Sequence, residues 1–264
     1  MRVALTIGAS DPSSGAGIQM DLKVFQYLGI YGLTVLTAIT SQSTVEFSNV
    51  FPLSEEVINS QFEVLLTDIK TNGAKIGMLY NKETINSVIK NIKKFNIKNL
   101  VVDPVITSTL GTKLIEEDAL EFLKNELIPL STAVTANILE AERLTGIKIE
   151  KIEDMYEASE RLYKLGTSFA IIKGGHLDNK AVDILYDGKN FHKIDGKKIS
   201  GEFHGTGCAF SSAFVSFLCK EYTAFEAFRA SKALVRKAIE NSIKLGHGIK
   251  LLILKEERNE QDSS

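Results

Sequence analysis

The sequence has few cysteines and prolines, lacks tryptophan altogether and carries little net charge. Its only cysteines, Cys208 and Cys219, are too few for the disulfide framework of a small secreted protein. The 31 basic and 33 acidic residues leave a formal net charge of −2, which gives no electrostatic reason to bind nucleic acid or an anionic membrane. No apolar run reaches the roughly 18 residues of a transmembrane helix, and the N-terminus lacks a signal-peptide pattern. We therefore expect a soluble cytoplasmic protein.

Apolar, β-branched runs alternate with helical patterns along the chain. Val3 to Ile7 predicts a first strand and Ile18 to Leu28 a first helix, and the last predicted helix runs from Phe225 to Leu245 and ends at Gly246. Such alternation indicates βαβ units and a mostly parallel sheet. Asp187-Gly188, between two short strand patterns, predicts a hairpin and hence antiparallel strands at one sheet edge.

The domain organisation follows from what separates these elements. We find no linker-like stretch and no repeat, so we predict a single domain over residues 1–254 and a polar tail over residues 255–264.

Ligands of open α/β sheets bind beyond the carboxyl ends of the strands, so the segments that follow predicted strands are the informative ones. Four of them stand out: GASDPSSGAG at 8–17, Asp103-Pro104, Lys173-Gly174-Gly175-His176, and His204-Gly205-Thr206-Gly207-Cys208.

The segment before Cys208 has the features of a phosphate site. Gly205 and Gly207 let the backbone approach a ligand closely, and a helix predicted from about Cys208 adds partial positive charge at its N-terminus. A thiol at that place is expected to have a lowered pKa and to act as a base. The alternative is an ordinary glycine-rich turn beside a buried cysteine, and the spacing alone does not decide between the two. Cys219 is predicted to be a packing residue.

Acidic and basic residues at other strand ends suit a metal and a phosphate. Asp103 follows three apolar residues, and Asn137 and Glu140 share one face of a helix start. Such acids hold Mg²⁺ through water, and Lys173 before two glycines would neutralise phosphate charge. Helix caps and turn residues are the competing interpretation for each of these positions.

The common nucleotide fingerprints are absent. No G-x-x-x-x-G-K-[ST] motif occurs, and the run from Gly15 to Met20 is only a near match to G-x-G-x-x-G. A dinucleotide-dependent oxidoreductase therefore stays open as a weak alternative. The histidine spacings do not predict a zinc site.

Taken together, the motifs resemble the hydroxymethylpyrimidine and phosphomethylpyrimidine kinases of thiamine biosynthesis, which belong to the ribokinase-like superfamily. The resemblance spans roughly residues 3–249. It rests on segments that occur in the order of that family: GASDPSSGAGIQMDLKVF, TAITSQST, KIGML, VVDPV, TANILEAERLTG, IIKGGHL, HGTGCAFSSA and LGHG.

The resemblance implies a three-layer α/β/α sandwich whose sheet is mostly parallel with an antiparallel edge, usually in a homodimer. It also implies ATP and Mg²⁺ and two successive phosphorylations, first of 4-amino-5-hydroxymethyl-2-methylpyrimidine to its monophosphate and then of the monophosphate to the diphosphate.

The resemblance also implies residue roles. It makes Cys208 the general base beside an anion hole of Gly205, Thr206 and Gly207. Near Mg²⁺ it implies Asp103 and Glu140. On the nucleotide it implies Asn137, Lys173, Thr206 and, as a weaker match, Lys232. In the pyrimidine pocket it implies Asp11, Gln42, Met78 and Val105, with Ala16 and Asp21 at the pocket edge.

Some positions depart from the family pattern. The segment ITSTLGTKL lacks the Lys-Ser that the family often has before its glycine, so the flap around Thr107 to Gly111 is expected to differ.

The resemblance leaves a related activity and a different class of protein open. A pyridoxal kinase of the same superfamily would also phosphorylate a hydroxymethyl group on a heteroaromatic ring. A ligand-binding protein that kept the fold without catalysis is the other alternative, and the presence of Asp103, Glu140, Lys173 and Cys208 argues against it.

Overall fold

The computed structural model describes residues 1–175 and 181–255. The strands are β1 Val3–Ser10, β2 Tyr31–Gln42, β3 Phe47–Pro52, β4 Gly73–Ile76, β5 Leu100–Val102, β6 Ala133–Asn137, β7 Phe169–Gly174, β8 Val182–Tyr186, β9 Phe191–Ile194, β10 Phe203–His204 and β11 Lys250–Leu251. The helices are α1 Gly17–Tyr27, α2 Glu55–Asp68, α3 Lys82–Lys94, α4 Glu117–Phe122, α5 Ile138–Thr145, α6 Ile152–Tyr163, α7 Thr206–Cys219 and α8 Ala224–Glu240; a π-helical turn, Leu123–Leu127, and a 3-10 turn, Ile128–Leu130, follow α4.

Strands β1 to β9 form one sheet in the order β3-β2-β1-β4-β5-β6-β7-β8-β9. All pairs between β2 and β7 are parallel, whereas β3 on one side and β8 and β9 on the other pair antiparallel with their neighbours. Side chains of the inner strands are almost all buried, as parallel strands covered on both faces require. The predicted mostly parallel sheet with an antiparallel edge is confirmed.

Helices cover both faces of the sheet. On one face α1, α7 and α8 enclose an apolar core that includes Phe25, Phe214 and Phe228. On the other face α2 to α6 enclose a second core that includes Phe62 and Val88. Burial of these two apolar faces is the main stabilising contribution, and it gives the expected three-layer α/β/α architecture.

Two helix starts follow the sequence directly. The Ser54 side chain accepts a hydrogen bond from the backbone N–H of Val57 at the start of α2, and Asn81 does the same for Thr84 at the start of α3. These caps satisfy backbone donors that have no partner within the helix.

The last helix is shorter than predicted. It ends at Glu240 instead of Leu245, and Gly246 is not its cap. The chain leaves the helix because Ile243 pairs with Leu251 in a β-bridge, which holds it in an extended conformation. Tertiary pairing therefore overrides a helical pattern here.

Strand β3 was not predicted. It pairs antiparallel with β2 and makes a second antiparallel edge, opposite the hairpin of β8 and β9. The single domain over residues 1–254 stays a prediction. Most of the predicted tail, residues 256–264, and His176 of the Lys-Gly-Gly-His segment lie outside the described residues. In the described part of the chain, we find no helix with the length and apolar character needed to cross a bilayer.

Candidate active site

The loop between β1 and α1 is organised around Asp11. The Asp11 carboxylate accepts hydrogen bonds from the backbone N–H groups of Ser13 at 2.8 Å, Gly15 at 3.1 Å and Ala16 at 2.7 Å. Nε2 of His204 lies 2.9 Å from the same carboxylate. Burial alone would raise the pKa of Asp11, but the hydrogen bonds from His204 and Ser13 outweigh burial and lower it. The expected pocket contact is therefore a loop anchor, because its carboxylate is engaged and 1% exposed.

His204 ties this loop to the start of α7. Gly205 has φ +81°, and a Cβ atom on it would lie 1.9 Å from the carbonyl oxygen of Gly15. Only glycine allows the two loops to approach so closely. Ring atom Nδ1 of His204 is buried and has no hydrogen-bond partner.

The N-terminal turn of α7 faces a buried ion pair. A Cβ atom on Gly207 would lie 3.4 Å from Nζ of Lys173 and 3.6 Å from a carboxylate oxygen of Asp103. Backbone N–H groups in the first turn of a helix have no partner within it, and they carry partial positive charge. Thr206 is the first residue of α7 and is partly exposed. The predicted anion hole, Gly205 to Gly207, therefore lies at a helix N-terminus beside a lysine.

Asp103 is the centre of a small polar network. It accepts hydrogen bonds from Lys173 Nζ at 3.3 Å, from Thr135 Oγ1 at 3.4 Å and from Ser211 Oγ at 3.1 Å. Burial by itself would lower the pKa of Lys173, but the carboxylates of Asp103 and Glu140 outweigh it and raise the pKa. The lysine is therefore cationic at neutral pH and already partnered with an acid.

Asn137 and Glu140 form a capping box at the start of α5. Asn137 Oδ1 accepts from the Glu140 N–H at 2.9 Å, and the Glu140 carboxylate accepts from the Asn137 N–H at 2.8 Å. Burial, opposed by Lys173 and reinforced by repulsion from Asp103, raises the pKa of Glu140 to about 7. The helix-cap interpretation is thus realised in the structure, and Glu140 also lies in the electrostatic field of Asp103.

Two acids that repel each other suit a shared cation. Among the described residues no cluster of three or more His, Cys, Asp or Glu side chains could hold a metal ion. Mg²⁺ needs fewer protein ligands than this, because it is usually held by one or two carboxylates together with substrate phosphates and water. Asp103 and Glu140 fit that pattern.

Cys208 lies in the first turn of α7 and is partly exposed. The expectation of a lowered pKa is wrong for this thiol: burial raises the pKa of Cys208 to about 12, although Lys75 acts in the opposite direction. The helix N-terminus does not compensate for the loss of hydration. Cys219 is 2% exposed and packs against Gly73, as predicted.

An apolar cluster adjoins the ends of β1, β2 and β4. Met78 is 7% exposed and packs with Ala9, Ala38 and Leu114, and Val105 packs against this cluster. Gln42, the last residue of β2, donates to Thr40 Oγ1 at 2.9 Å. The predicted pyrimidine residues Gln42, Met78 and Val105 thus lie at or just after the carboxyl ends of β2, β4 and β5.

Asp21 does not line this pocket. It is 0% exposed and pairs with Nζ of Lys75 at 2.9 Å. Thr6 at 2.5 Å and Ser212 at 2.6 Å donate their hydroxyl groups to the same carboxylate. The expectation for Asp21 is corrected, because these four buried side chains satisfy one another inside the protein. Ala16, by contrast, is partly exposed at the start of α1, and its place at the pocket edge stays a prediction.

Lys232 on α8 reaches the edge of the sheet. Its Nζ lies 2.6 Å from the Asp183 carboxylate and donates to the carbonyl oxygen of Ala181. Asp183 also accepts from the N–H of Gly174 and is paired across the strands with Lys173. Lys232 therefore supports the strand end that carries Lys173.

The terminal LGHG motif packs against the loop after Gln42. A Cβ atom on Gly248 would lie 1.7 Å from the carbonyl oxygen of Thr44, and Ile249 donates its N–H to that oxygen at 3.0 Å. The glycine is required by this close approach.

In the flap, Thr107 and Lys113 form a β-bridge around a turn at Gly111, φ +86°.

No local sequence pattern indicates a role for the side chains of Lys75, His204, Ser211 or Ser212. A lysine inside the apolar strand pattern Ala74 to Met78 was the available signal, because a buried ammonium group requires an acid partner. The serines lie among helical apolar residues, and nothing local to them indicates that they reach Asp103 and Asp21.

Comparison with known proteins gives consistent matches. The sequence model of the phosphomethylpyrimidine kinase family matches residues 11–252. The hydroxymethylpyrimidine/phosphomethylpyrimidine kinase of Aquifex aeolicus is 39% identical over 252 residues, which is 95% of this chain and 99% of that protein.

Solved structures of two kinases also match. The ADP complex of Bacillus subtilis pyridoxal kinase has a TM-score of 0.89 and 35% identity, covering 96% of this chain and 97% of its own. The phosphomethylpyrimidine kinase of Clostridium difficile has a TM-score of 0.81 and 43% identity, covering 90% of this chain and 100% of its own.

Proposed function

We propose that this chain, which belongs to the phosphomethylpyrimidine kinase family, phosphorylates 4-amino-5-hydroxymethyl-2-methylpyrimidine and then its monophosphate, with ATP as the phosphate donor. The chain is a phosphotransferase. The observation that carries the phosphoryl-transfer assignment is the position of the glycine-rich start of α7, which lies over the Lys173–Asp103 pair and carries Cys208.

The phosphate end of the proposed site presents backbone N–H groups and a lysine that would bind negative charge. Phosphoryl transfer depends mainly on positioning and on neutralising charge on the transferred group. Backbone N–H groups of Gly205 to Gly207 and the ammonium group of Lys173 would bind the γ-phosphoryl oxygens. Support for ATP comes from the ADP bound to the similar Bacillus subtilis kinase. Asn137, Thr206 and Lys232 are the further nucleotide-side residues of this proposal.

Asp103 and Glu140 are the residues that would hold Mg²⁺. When bound, the ion supplies positive charge to the phosphates. Both carboxylates are buried, and the charge of Asp103 contributes to the raised pKa of Glu140, so a cation between the two would be stabilised by both.

Cys208 would accept the proton of the attacking hydroxymethyl group in the first phosphorylation. Because burial holds the pKa of this thiol at about 12, its reactive thiolate is a minor species at neutral pH. In the second phosphorylation the attacking atom is a phosphate oxygen, which is already anionic near pH 7. The second step therefore needs Cys208 less than the first.

The pyrimidine ring would bind in the apolar cluster beside Met78 and Val105. The Gln42 amide can both donate to and accept from the aminopyrimidine edge. Sulfur of Met78 suits contact with an aromatic ring. Ala16 would form part of the pocket edge, and Asp11 would act on the substrate only through the loop that it anchors.

Parallel assays test the substrate assignment. The purified protein is supplied with Mg²⁺-ATP and with the hydroxymethylpyrimidine, its monophosphate or pyridoxal, and products are separated by chromatography. We expect turnover of both pyrimidines. A protein that binds the pyrimidines without turning over either one would contradict the proposal.

Pyridoxal kinase activity is the second candidate function. It is favoured by the TM-score of 0.89 to the Bacillus subtilis pyridoxal kinase, since both substrates carry a hydroxymethyl group on a heteroaromatic ring. Turnover of the pyrimidine monophosphate discriminates, because pyridoxal offers no corresponding second step in this reaction. Turnover of pyridoxal but of neither pyrimidine would assign this activity instead.

We further propose that the chain forms a homodimer in the cytoplasm, where ATP is available. Support for the dimer comes from the β3 edge of the sheet: Phe51 on β3 and Ile39 on β2 are directly paired and are 55% and 48% exposed. Adjacent exposed apolar side chains on a sheet edge are typical of a protein interface.

A further inference from the structure

Helices α1 and α7 meet through two pairs of residues with the same spacing. On α1 these are Gly17 and Asp21, and on α7 they are Cys208 and Ser212, so each pair lies on one helix face, one turn apart. Ser212 donates its hydroxyl to Asp21 at 2.6 Å. Gly17 and Cys208 lie one helical turn closer to the N-termini of α1 and α7. There the backbone N–H of Gly17 interacts with the Cys208 sulfur and favours its thiolate.

The sheet contacts this helix pair through Lys75, which binds the carboxylate of Asp21. Lys75 on β4 places Nζ at 2.9 and 3.1 Å from the two carboxylate oxygens of Asp21, and both side chains are 1% exposed. The ammonium group lies directly below Gly77, where a Cβ atom would come within 2.9 Å of it. The next residue, Met78, belongs to the apolar cluster with Ala9, Ala38 and Leu114. The ion pair therefore lies next to Gly77 and, through Ser212, one helical turn from Cys208 on α7.

We propose that Lys75 and Asp21 are the positioning residues for Cys208: they fix α1 against α7 and place one buried ammonium group near the thiol. The proposal rests on the proposed function for its catalytic consequence. It goes beyond that function because neither residue contacts the reacting groups. Asp21 joins the sheet, through Lys75 and Thr6, to both helices whose N-termini form the site.

Charged groups around Cys208 come from four elements. They are Lys75 on β4, Asp21 on α1, Asp103 after β5 and Lys173 on β7. Of these, Lys75 acts most strongly on the thiol and favours the thiolate, whereas Asp21 and Asp103 disfavour it. Burial by itself would lower the pKa of Lys75, but Asp21 outweighs it and raises the pKa, so the ammonium stays charged. Removing Lys75 should therefore leave the thiol less ionised.

Thiol alkylation tests the electrostatic part without requiring any kinase activity. The second-order rate of reaction with iodoacetamide is measured at pH 8 in a Cys219→Ser parent, in which Cys208 is the single thiol. We expect Lys75→Met to slow alkylation about tenfold or more, because loss of the cation that favours the thiolate should raise the pKa of Cys208 by about one unit or more.

Lys75→Met leaves the buried Asp21 carboxylate without its cation, and this variant can fail to fold. The double variant Lys75→Met/Asp21→Asn removes both charges; the amide oxygen then accepts from one of the Thr6 and Ser212 hydroxyl groups, and the amide nitrogen donates to the other. Because Lys75 acts on the thiol more strongly than Asp21 does, we expect a rate between those of the parent and Lys75→Met. The exposed pair Lys90–Glu55, changed to Met and Gln, is the matched control and should leave the rate unchanged.

Activity tests the positioning part. In single-turnover assays the double variant should lose about tenfold in the first phosphorylation and less than about threefold in the second, since a phosphate acceptor needs no base. Ser212→Ala, which removes only the bond between α7 and Asp21, should show the same preference to a smaller degree. Ser231→Ala removes a similarly buried serine hydroxyl on α8 and is its control.

Two results would overturn the proposal. One is a folded double variant whose Cys208 is alkylated at the parent rate. The other is an equal loss in both phosphorylations, which would make the ion pair a purely structural element. Absence of pyrimidine kinase activity in the parent would contradict the proposed function alone, because alkylation would still decide the role of Lys75.

Discussion

At the scale of single residues, the surroundings of each side chain set its chemistry more than its type does. Cys208 begins a helix, which favours a thiolate, but burial dominates and raises the pKa to about 12. Glu140 is a helix cap by its hydrogen bonds, and burial raises its pKa to about 7. The same motif positions therefore carry different protonation states from those that an exposed loop would give them.

Replacing Cys208 by alanine should separate the two phosphorylations. The first step attacks with a neutral hydroxyl group and loses its proton acceptor, so we expect its rate to fall about 100-fold. The second step attacks with a phosphate oxygen and should change by less than about threefold. Single-turnover assays with each acceptor measure both rates, and Cys219→Ser is the control. Equal losses would remove Cys208 from the role of base.

The raised pKa of Cys208 also predicts a pH dependence. Below a pKa of about 12, the thiolate fraction rises tenfold for each pH unit. We therefore expect kcat/KM for the hydroxymethylpyrimidine to increase between pH 6 and 9 without reaching a plateau from this group, and the increase should be absent in Cys208→Ala. A plateau in the parent protein near pH 7 would indicate a different base.

At the scale of elements, the site depends on how closely two loops approach. The loop after β1 and the start of α7 meet where Gly205 contacts Gly15, and the Asp11–His204 contact fixes the same approach. Because Gly205 belongs to the predicted anion hole, a change at its contact with Gly15 should displace the backbone of the anion hole.

Gly205→Ala should disrupt this approach. A side chain at φ +81° costs about 1–2 kcal/mol, and its Cβ would overlap the carbonyl oxygen of Gly15. We expect kcat/KM to fall by about 100-fold or more, since losing one anion-hole donor has effects of that order. Gly196→Ala is the matched control, because its Cβ would meet nothing closer than 3.4 Å. A fully active Gly205→Ala variant would show that the anion hole lies elsewhere.

Asp11→Asn should destabilise the loop in a pH-dependent way. Hydrogen bonds to a charged group contribute about 2 kcal/mol, so urea unfolding at pH 7 should show a loss of that order. The pKa of Asp11 is lowered in the folded state, so this stabilisation is present above the ordinary value of 3.8 and disappears as the pH falls through the folded-state pKa. The gap between parent and variant should therefore close below pH 4.

Asp187→Asn provides the comparison for Asp11. Its carboxylate also has a lowered pKa, about 2, mainly because it accepts backbone hydrogen bonds in the β8–β9 hairpin, away from the site. We expect a loss of stability without a loss of kinase activity. A gap between parent and Asp11→Asn that persists below pH 4 would contradict the role given to the Asp11 carboxylate.

At the scale of the whole molecule, two apolar faces of the sheet are covered by helices, whereas the β3 edge is not covered by another strand in the described chain. We expect the protein to elute as a dimer in size-exclusion chromatography with light scattering. Phe51→Glu should shift it to a monomer, because a charge would be buried between copies. Tyr222→Glu changes an exposed aromatic residue elsewhere and should leave the dimer intact. A monomeric parent would contradict the dimer.

Local sequence patterns are sufficient to predict the alternation of strands and helices, the mostly parallel sheet and the glycine-rich segments at the strand ends. These features depend on local periodicity and on backbone freedom, which neighbouring residues carry. The segment from Gly205 to Cys208 and the acids Asp103 and Glu140 are predicted as site residues for the same reason, since short motifs preserve their spacing. The helix caps at Ser54 and Asn81 are equally local, because each side chain accepts from a backbone N–H group three residues further along the chain.

The contacts between charged groups, and the amount of water that reaches them, depend on the packing of the folded chain. Asp21 and Lys75 are 54 residues apart, and Asp11 and His204 are 193 apart, so no local pattern predicts their contacts. Burial, which reverses the expected pKa of Cys208, and the β-bridge from Ile243 to Leu251, which shortens α8, are also properties of the packed chain. The physical reason is that desolvation and long-range pairing exist only once distant segments have come together.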